Sequence, residues 1–278
     1  MPKVKVNDIQ VYSEVKGEGF PLVMINGANE HLDCWNPRLI EALSKKLKLV
    51  LFDNRDAGRT DKSNREYTVK MLADDTSGLM DALEISKAHV LGFSMGGMVA
   101  QELAINYQEK VSKLVLCSTT CKGNLINPKA AEIMLAVEQG CSLEEIAEMY
   151  RSLYKDYPKE FIRKYPSVGN GFTADFVRGN PDCVNLYFQR FLEHPISKEG
   201  AQRQFHAVRE FNSHGRLQQI RVPTLVLHGK KDFAMPPENG SILAGGIPNA
   251  RLVYLEKSAH ILAEEIDEVI RTIIEFLL

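Results

Sequence analysis

Cysteine is scarce in this chain and follows no ligand spacing. The five residues Cys34, Cys117, Cys121, Cys141 and Cys183 are an odd number without any C-x-x-C pair. That excludes a disulfide framework and a thiolate metal centre as organising devices, and it points to reduced thiols in the cytoplasm. Charge of one sign is also lacking, since 34 Lys plus Arg face 36 Asp plus Glu for a net charge of −2. Neither a basic nucleic-acid footprint nor an acidic tail is present, so no nucleic-acid partner is expected. No window approaches the roughly 18 uninterrupted apolar residues of a membrane span. The N-terminal "MPKVKVNDIQVYSEVKGEGF" has no continuous apolar stretch, and its alternation predicts a hairpin turning at Asn7 and Asp8 rather than a signal peptide. There is no internal repeat and no low-complexity linker.

What is present is an alternation of apolar β-rich runs and helical patterns. "FPLVMING" (20–27), "KLVLFDNR" and "KAHVLGF" read as buried strands. Helical stretches over 36–47 and 68–85 separate them, the second with Val69, Leu72, Leu79 and Leu83 at helical spacing. "MGGMVAQELAINY" is helical and "VSKLVLCST" is a further strand. Strands alternating with helices predict βαβ units and a mostly parallel sheet of about eight strands with helices on both faces. From 122 to 212 the alternation gives way to helices, including "SLEEIAEMYRSLY" with Ser142 and Glu145 spaced as a capping box, and aromatics around Phe161, Phe172, Tyr187 and Phe191. The rhythm resumes with "VPTLVLHGKKD", a helix near 237–245, "ARLVYLE" and the amphipathic "LAEEIDEVIRTIIEFLL". The expected division is a core of 1–121 and 213–278 with 122–212 inserted as a helical cap.

Three strand ends carry chemistry. Gly92-Phe93-Ser94-Met95-Gly96 lies between a strand and a helix, where residues without Cβ atoms allow a tight turn that exposes a nucleophile. The helix start adds free N–H groups and a positive dipole end, which suit an oxyanion, although Ser94 as a simple helix cap is the competing reading. A serine hydroxyl needs a base and an orienting acid, and these should follow it in the order acid, then histidine. Asp232 lies just past the buried strand in "TLVLHGKKD", and His260 follows "ARLVYLE" in a small-residue loop. Position selects His260 among seven histidines: His228 falls within a strand end, and His194, His206 and His214 lie in or beside the inserted helices. The earlier strand end "LVLCSTTCKGN" offers no carboxylate.

With these residues in place the chain resembles the α/β-hydrolases of the single-cap type, over its whole length apart from the cap. The resemblance implies Ser94 as nucleophile, His260 as general base and acid, Asp232 as the carboxylate orienting it, and no cofactor or metal. It also implies an oxyanion hole from the backbone N–H of Met95 and a second donor after the first buried strand. There the family commonly has His-Gly, whereas this chain has Asn26-Gly27-Ala28-Asn29, which places the donor at Ala28, with Asn29 as the alternative. "FDNRDAGRT" resembles the family's Asp-x-Arg-Gly-x-Gly-x-Ser loop, with Asp56 for Gly and Thr60 for Ser. Together with "GANEHLDCW" and "GFSMGG" it is similar to the aclacinomycin methylesterase branch and, more distantly, to enol-lactonases. Arg55 and Asp56 read as a structural ion pair bracing a turn.

The expected activity is cleavage of a small carboxylic ester or lactone through an acyl-Ser94 intermediate. Met134, Met149 and Phe191 are candidates to line the substrate pocket. The same triad also serves cofactor-free perhydrolases, small-peptide aminopeptidases and C–C bond hydrolases, the last commonly with Trp where Ile261 stands. From another class, a non-catalytic ligand-binding or receptor protein can retain the same scaffold. The P-loop lysine is missing from "GFSMGG", which leaves phosphate binding unsupported.

Overall fold

The computed structural model describes residues 3–278. Strands β1 (Val4–Val6) and β2 (Ile9–Val11) form the expected hairpin around Asn7 and Asp8, with Asn7 at φ 48°. They make a two-stranded sheet of their own. The remaining strands are β3 (Ser13–Lys16), β4 (Pro21–Ile25), β5 (Lys48–Phe52), β6 (Ala88–Phe93), β7 (Val111–Cys117), β8 (Thr224–Gly229) and β9 (Ala250–Leu255). They form one sheet in the order β3-β5-β4-β6-β7-β8-β9, parallel except for β3. The main sheet therefore has seven strands rather than about eight, because the hairpin pairs with itself and leaves β3 alone to join the edge.

The inner strands alternate which face each side chain enters, as a two-residue period requires. Val23, Ile25, Val50, Phe52, Val90, Leu114, Leu116 and Val226 enter one core. It is covered by α2 (Val69–Ala82) and α3 (Met95–Asn106), with Leu243 of α11 (Glu238–Gly246) packed into the same core. Leu22, Met24, Leu49, Leu51, Leu91, Val115, Leu225 and Leu227 enter the other, under α1 (Pro37–Ser44) and α12 (Ile266–Leu277). The last helix shows why it docks there: Val269, Ile273 and Leu277, four residues apart, form one buried stripe. Both sheet faces are thus covered, which is why these strands read as continuous apolar runs.

Between β7 and β8 the chain is helical: α4 (Pro128–Glu138), α5 (Leu143–Leu153), α6 (Lys159–Lys164), α7 (Val168–Gly171), α8 (Ala174–Gly179), α9 (Pro181–Phe191) and α10 (Lys198–Glu210). Ser142 and Glu145 exchange the two hydrogen bonds of a capping box at the start of α5. An aromatic cluster of Tyr154, Phe161, Tyr165, Phe172 and Phe188 holds this insertion together and packs on Ala263 and Ile261 beside His260. Among the described residues no helix is long and apolar enough to cross a membrane.

Arg55 and Asp56 do not pair with each other. Arg55, 2% exposed, donates to Asp75 at 2.8 and 3.0 Å and to Asp8 at 2.6 Å. Asp56 accepts from Arg203 of α10 at 2.8 and 2.9 Å and from the Ser63 N–H at 2.7 Å. Asp56 sits at φ 71°, so the chain turns between the two residues and sends their side chains to different partners. The segment braces two places rather than one turn.

Candidate active site

The parallel sheet brings the ends of β4, β6, β8 and β9 to one edge, where ligands gather in open α/β sheets. Ser94 follows β6 at φ 53° and ψ −120°, a backbone conformation costly for any residue with a Cβ. Its surroundings impose it: the Ser94 N–H donates to the Cys117 carbonyl at 3.0 Å, and the Ser94 carbonyl accepts from Thr119 Oγ1 at 2.7 Å and from the Gly97 N–H at 2.9 Å. The serine side chain makes no capping bond to α3, so its hydroxyl is directed elsewhere.

It is directed at His260, whose Nε2 lies 3.0 Å from Ser94 Oγ. On the far side, His260 Nδ1–H donates to Asp232 Oδ2 at 2.7 Å, and Asp232 Oδ1 accepts the Met235 N–H at 2.9 Å. Burial works against a charged imidazole, but the Asp232 charge and hydrogen bond, helped by Glu30, outweigh it and raise the His260 pKa above its ordinary value. The loop carrying His260 is pinned from both directions. Ile261 N–H donates to Gly171 O at 3.0 Å, and Glu264 accepts from Ala259 N–H and Thr173 N–H. His228, the rival histidine, is fully buried, and burial lowers its pKa despite the Asp232 carboxylate 3.6 Å away. Its Nε2–H donates to the Met235 carbonyl at 2.8 Å, so it supports the Asp232 turn from behind.

The two oxyanion candidates after β4 are separated by their partners. Asn29 N–H donates to Gln204 Oε1 at 2.6 Å, whereas Ala28 N–H has no acceptor among the described residues. The Met95 N–H, at the first position of α3, likewise has no acceptor among the described residues. A cavity of about 160 Å³ opens over Ser94 and His260, lined by Ala28, Met134 and Phe191 among the expected residues and by Tyr150, Phe188 and Phe205 besides. Met149 does not reach it. The register of α5, set by its Ser142 cap, turns the neighbouring Tyr150 inward instead. Glu30 and Gln204 were not singled out by the sequence, and Tyr187 was named only as one of the insertion's aromatics, because their roles rest on contacts across more than 150 residues.

The model of the alpha/beta hydrolase fold family matches residues 21–265. Among curated proteins, one named carbamate hydrolase RutD from Azorhizobium caulinodans is 25% identical over 94% of this chain and 91% of its own length. Another, named non-heme bromoperoxidase BpoC, from Mycobacterium tuberculosis, is 28% identical over 92% of both. Among solved structures, the enol-lactonase from Burkholderia xenovorans superposes with a TM-score of 0.82 at 27% identity, over 99% of each chain.

Proposed function

This chain belongs to the alpha/beta hydrolase fold family and is a hydrolase, and from that premise we propose that it cleaves a small carboxylic ester or lactone through an acyl enzyme at Ser94. The observation that carries the reading is the unbroken hydrogen-bond chain from Ser94 Oγ through His260 to Asp232, opening on an apolar cavity. In the first step Ser94 Oγ bonds to the substrate carbonyl carbon while His260 Nε2 takes the hydroxyl proton. Asp232 holds Nδ1–H, which fixes the tautomer with Nε2 as the base. The oxyanion accepts from the free N–H groups of Met95 and Ala28. Collapse breaks the carbon–oxygen bond to the leaving alcohol, which receives the proton from His260. Water, activated by the same imidazole, then releases the acid and restores Ser94. For a lactone the alcohol and the acid are two ends of one product.

The apolar lining from Met134, Phe188, Phe191 and Phe205 supports a neutral substrate with a hydrophobic arm. On this reading residues 122–212 are a cap that supplies that lining, and the scattered, odd set of cysteines supports a cytoplasmic location. The Burkholderia enol-lactonase, named for lactone chemistry, supports the same class of reaction. The similarity to the protein named as a bromoperoxidase favours, as a second reading, perhydrolysis on the same serine, with peroxide replacing water in the acyl-transfer step.

The test is a panel of chromogenic esters of graded acyl length, with methyl esters and lactones followed by pH change, on wild type and Ser94→Ala. Turnover should fall by about three to six orders of magnitude in the variant with the thermal midpoint kept. Ester turnover that survives Ser94→Ala would remove the assignment. Bromide oxidation in acetate and peroxide, without ester turnover, would select the second reading.

A further inference from the structure

The loop after β4 that bears the Ala28 N–H is held by the helical insertion at three successive residues. Glu30, 7% exposed, accepts through both carboxylate oxygens: Oε2 from the Gly27 N–H at 3.0 Å and Oε1 from the Tyr187 hydroxyl of α9 at 2.7 Å. Asn29, at φ 65°, donates its N–H to Gln204 of α10, and Gln204 Nε2 donates on to the Arg55 carbonyl at 3.1 Å. His31 Nε2–H donates to the Arg190 carbonyl at the end of α9 at 2.9 Å.

A buried carboxylate is a costly way to fill space, and an apolar side chain would fill it with less desolvation. What a carboxylate adds is two acceptor oxygens that can serve two donors at once. Here one donor belongs to the oxyanion loop and the other to the insertion. The contact with the loop is direct, because a Cβ added at Gly27 would lie 2.9 Å from Glu30 Oε2. Burial raises the Glu30 pKa, and the Tyr187 and Gly27 donors, with His260 and His31, pull it back only in part. The group also lines the cavity over Ser94.

We propose that Glu30 is a positioning residue: bridged to the insertion through Tyr187, it fixes Gly27 and thereby aims the Ala28 N–H at the oxyanion formed on Ser94. The proposal rests on the serine-hydrolase reading. It makes the Tyr187–Glu30 contact of α9 a condition for stabilising the transition state, apart from the lining that Phe188 and Phe191 of the same helix give the substrate. Its signature is therefore a loss in kcat with KM held, because the Ala28 bond strengthens only as the oxyanion forms.

The experiment compares Glu30→Met, Glu30→Gln and Tyr187→Phe in the full chain. The readouts are ester kinetics, inhibition by phenylboronic acid, thermal midpoint and exchange of the Gly27 amide. The boronate forms a tetrahedral adduct on a reactive serine and so samples the oxyanion site. Losing one oxyanion donor outright costs about 10²–10³ in kcat, so misaiming it in Glu30→Met should cost about 30-fold and in Tyr187→Phe about fivefold. In both, KM should hold within about twofold and boronate inhibition should weaken in proportion to the lost kcat/KM. Gly27 amide exchange should quicken in Glu30→Met. Glu30→Gln, whose amide oxygen can accept from Gly27 while its NH₂ donates to the Tyr187 oxygen, should recover to within about threefold of wild type.

A folded Glu30→Met with unchanged kcat overturns the proposal. So does a loss carried by KM, or a loss of turnover with boronate inhibition intact. A wild type that turns over no ester removes the serine-hydrolase reading and this role with it. An active wild type with indifferent variants removes this role alone.

Discussion

Replacing Gly96 by alanine tests the claim that this elbow works by close approach of α3 to β4. A Cβ built at Gly96 would stand 2.0 Å from the Ile25 carbonyl oxygen and 2.6 Å from the Asn26 carbonyl oxygen. An ordinary carbon–oxygen contact is about 3.3 Å, so helix and strand must separate by about 1.3 Å. Both obstacles are backbone, one at the end of a strand paired on both sides, and neither can rotate away. Overpacking of this kind costs about 1–3 kcal/mol, and the rigid neighbours place it near the upper end. For a chain of 278 residues that lowers the thermal midpoint by about 4–6 °C. The same displacement separates Ser94 and Met95 from the Gly27-Ala28 loop, and a misplacement of about 1 Å costs about 100-fold in kcat/KM. Gly245→Ala in α11 is the control, because a Cβ there meets no atom within 4 Å. It should gain about 0.5–1 kcal/mol from helix propensity and leave turnover alone. The assay is scanning fluorimetry with ester kinetics well below both midpoints. A Gly96→Ala protein as stable and as active as Gly245→Ala would refute the close-approach argument.

Two further substitutions probe other parts. Asp232→Asn should lower turnover by about 10⁴ through loss of the productive tautomer. It should also move the acid limb of kcat/KM downward. The carboxylate raises the His260 pKa, so wild-type His260 stays protonated and unable to act as base until higher pH, and removing that charge frees it earlier. An unmoved acid limb in the residual activity would contradict this. Arg55→Met should destabilise by about 3–5 kcal/mol, read by urea unfolding, because it leaves the buried Asp75 with Asn7 Nδ2 as its remaining side-chain donor. A loss under about 1 kcal/mol would show that the pair carries little.

The sequence was most informative where a local pattern has one structural meaning. Buried parallel strands must be apolar on both faces, so "VLGF" and "TLVLHG" announced themselves, and Ser94 and Asp232 could be placed at their ends by position alone. Two local inferences failed for equally local reasons. Arg55 and Asp56 are adjacent in sequence, yet the turn at Asp56 parts them. Met149 and Tyr150 differ by one helical step of about 100°, enough to exchange a flank for the cavity wall. Composition suggested an apolar pocket but could not select its register.

The loop "NGANEH" resists sequence reading for a different reason. Its departure from the commoner His-Gly looks like a lost element when the loop is read alone. Its restraints come from Tyr187 and Gln204, 157 and 175 residues further on, through a carboxylate and an amide whose partners no periodicity reveals. Nothing in the local sequence marks Glu30 as buried; once the fold shows that it is, burial without partners would cost several kcal/mol and so demands them. Asking which donors could satisfy Glu30 leads to the Gly27 backbone nearby and to a hydroxyl from some other element. The sequence has nine tyrosines, too many to choose among without the fold. The α9 face that brings Tyr187 to Glu30 also brings Phe188 and Phe191 to the cavity, so one docked helix serves both the substrate lining and the oxyanion loop. Changes at Phe188 or Phe191 aimed at substrate range should therefore alter KM, and should lower kcat as well where they disturb Tyr187.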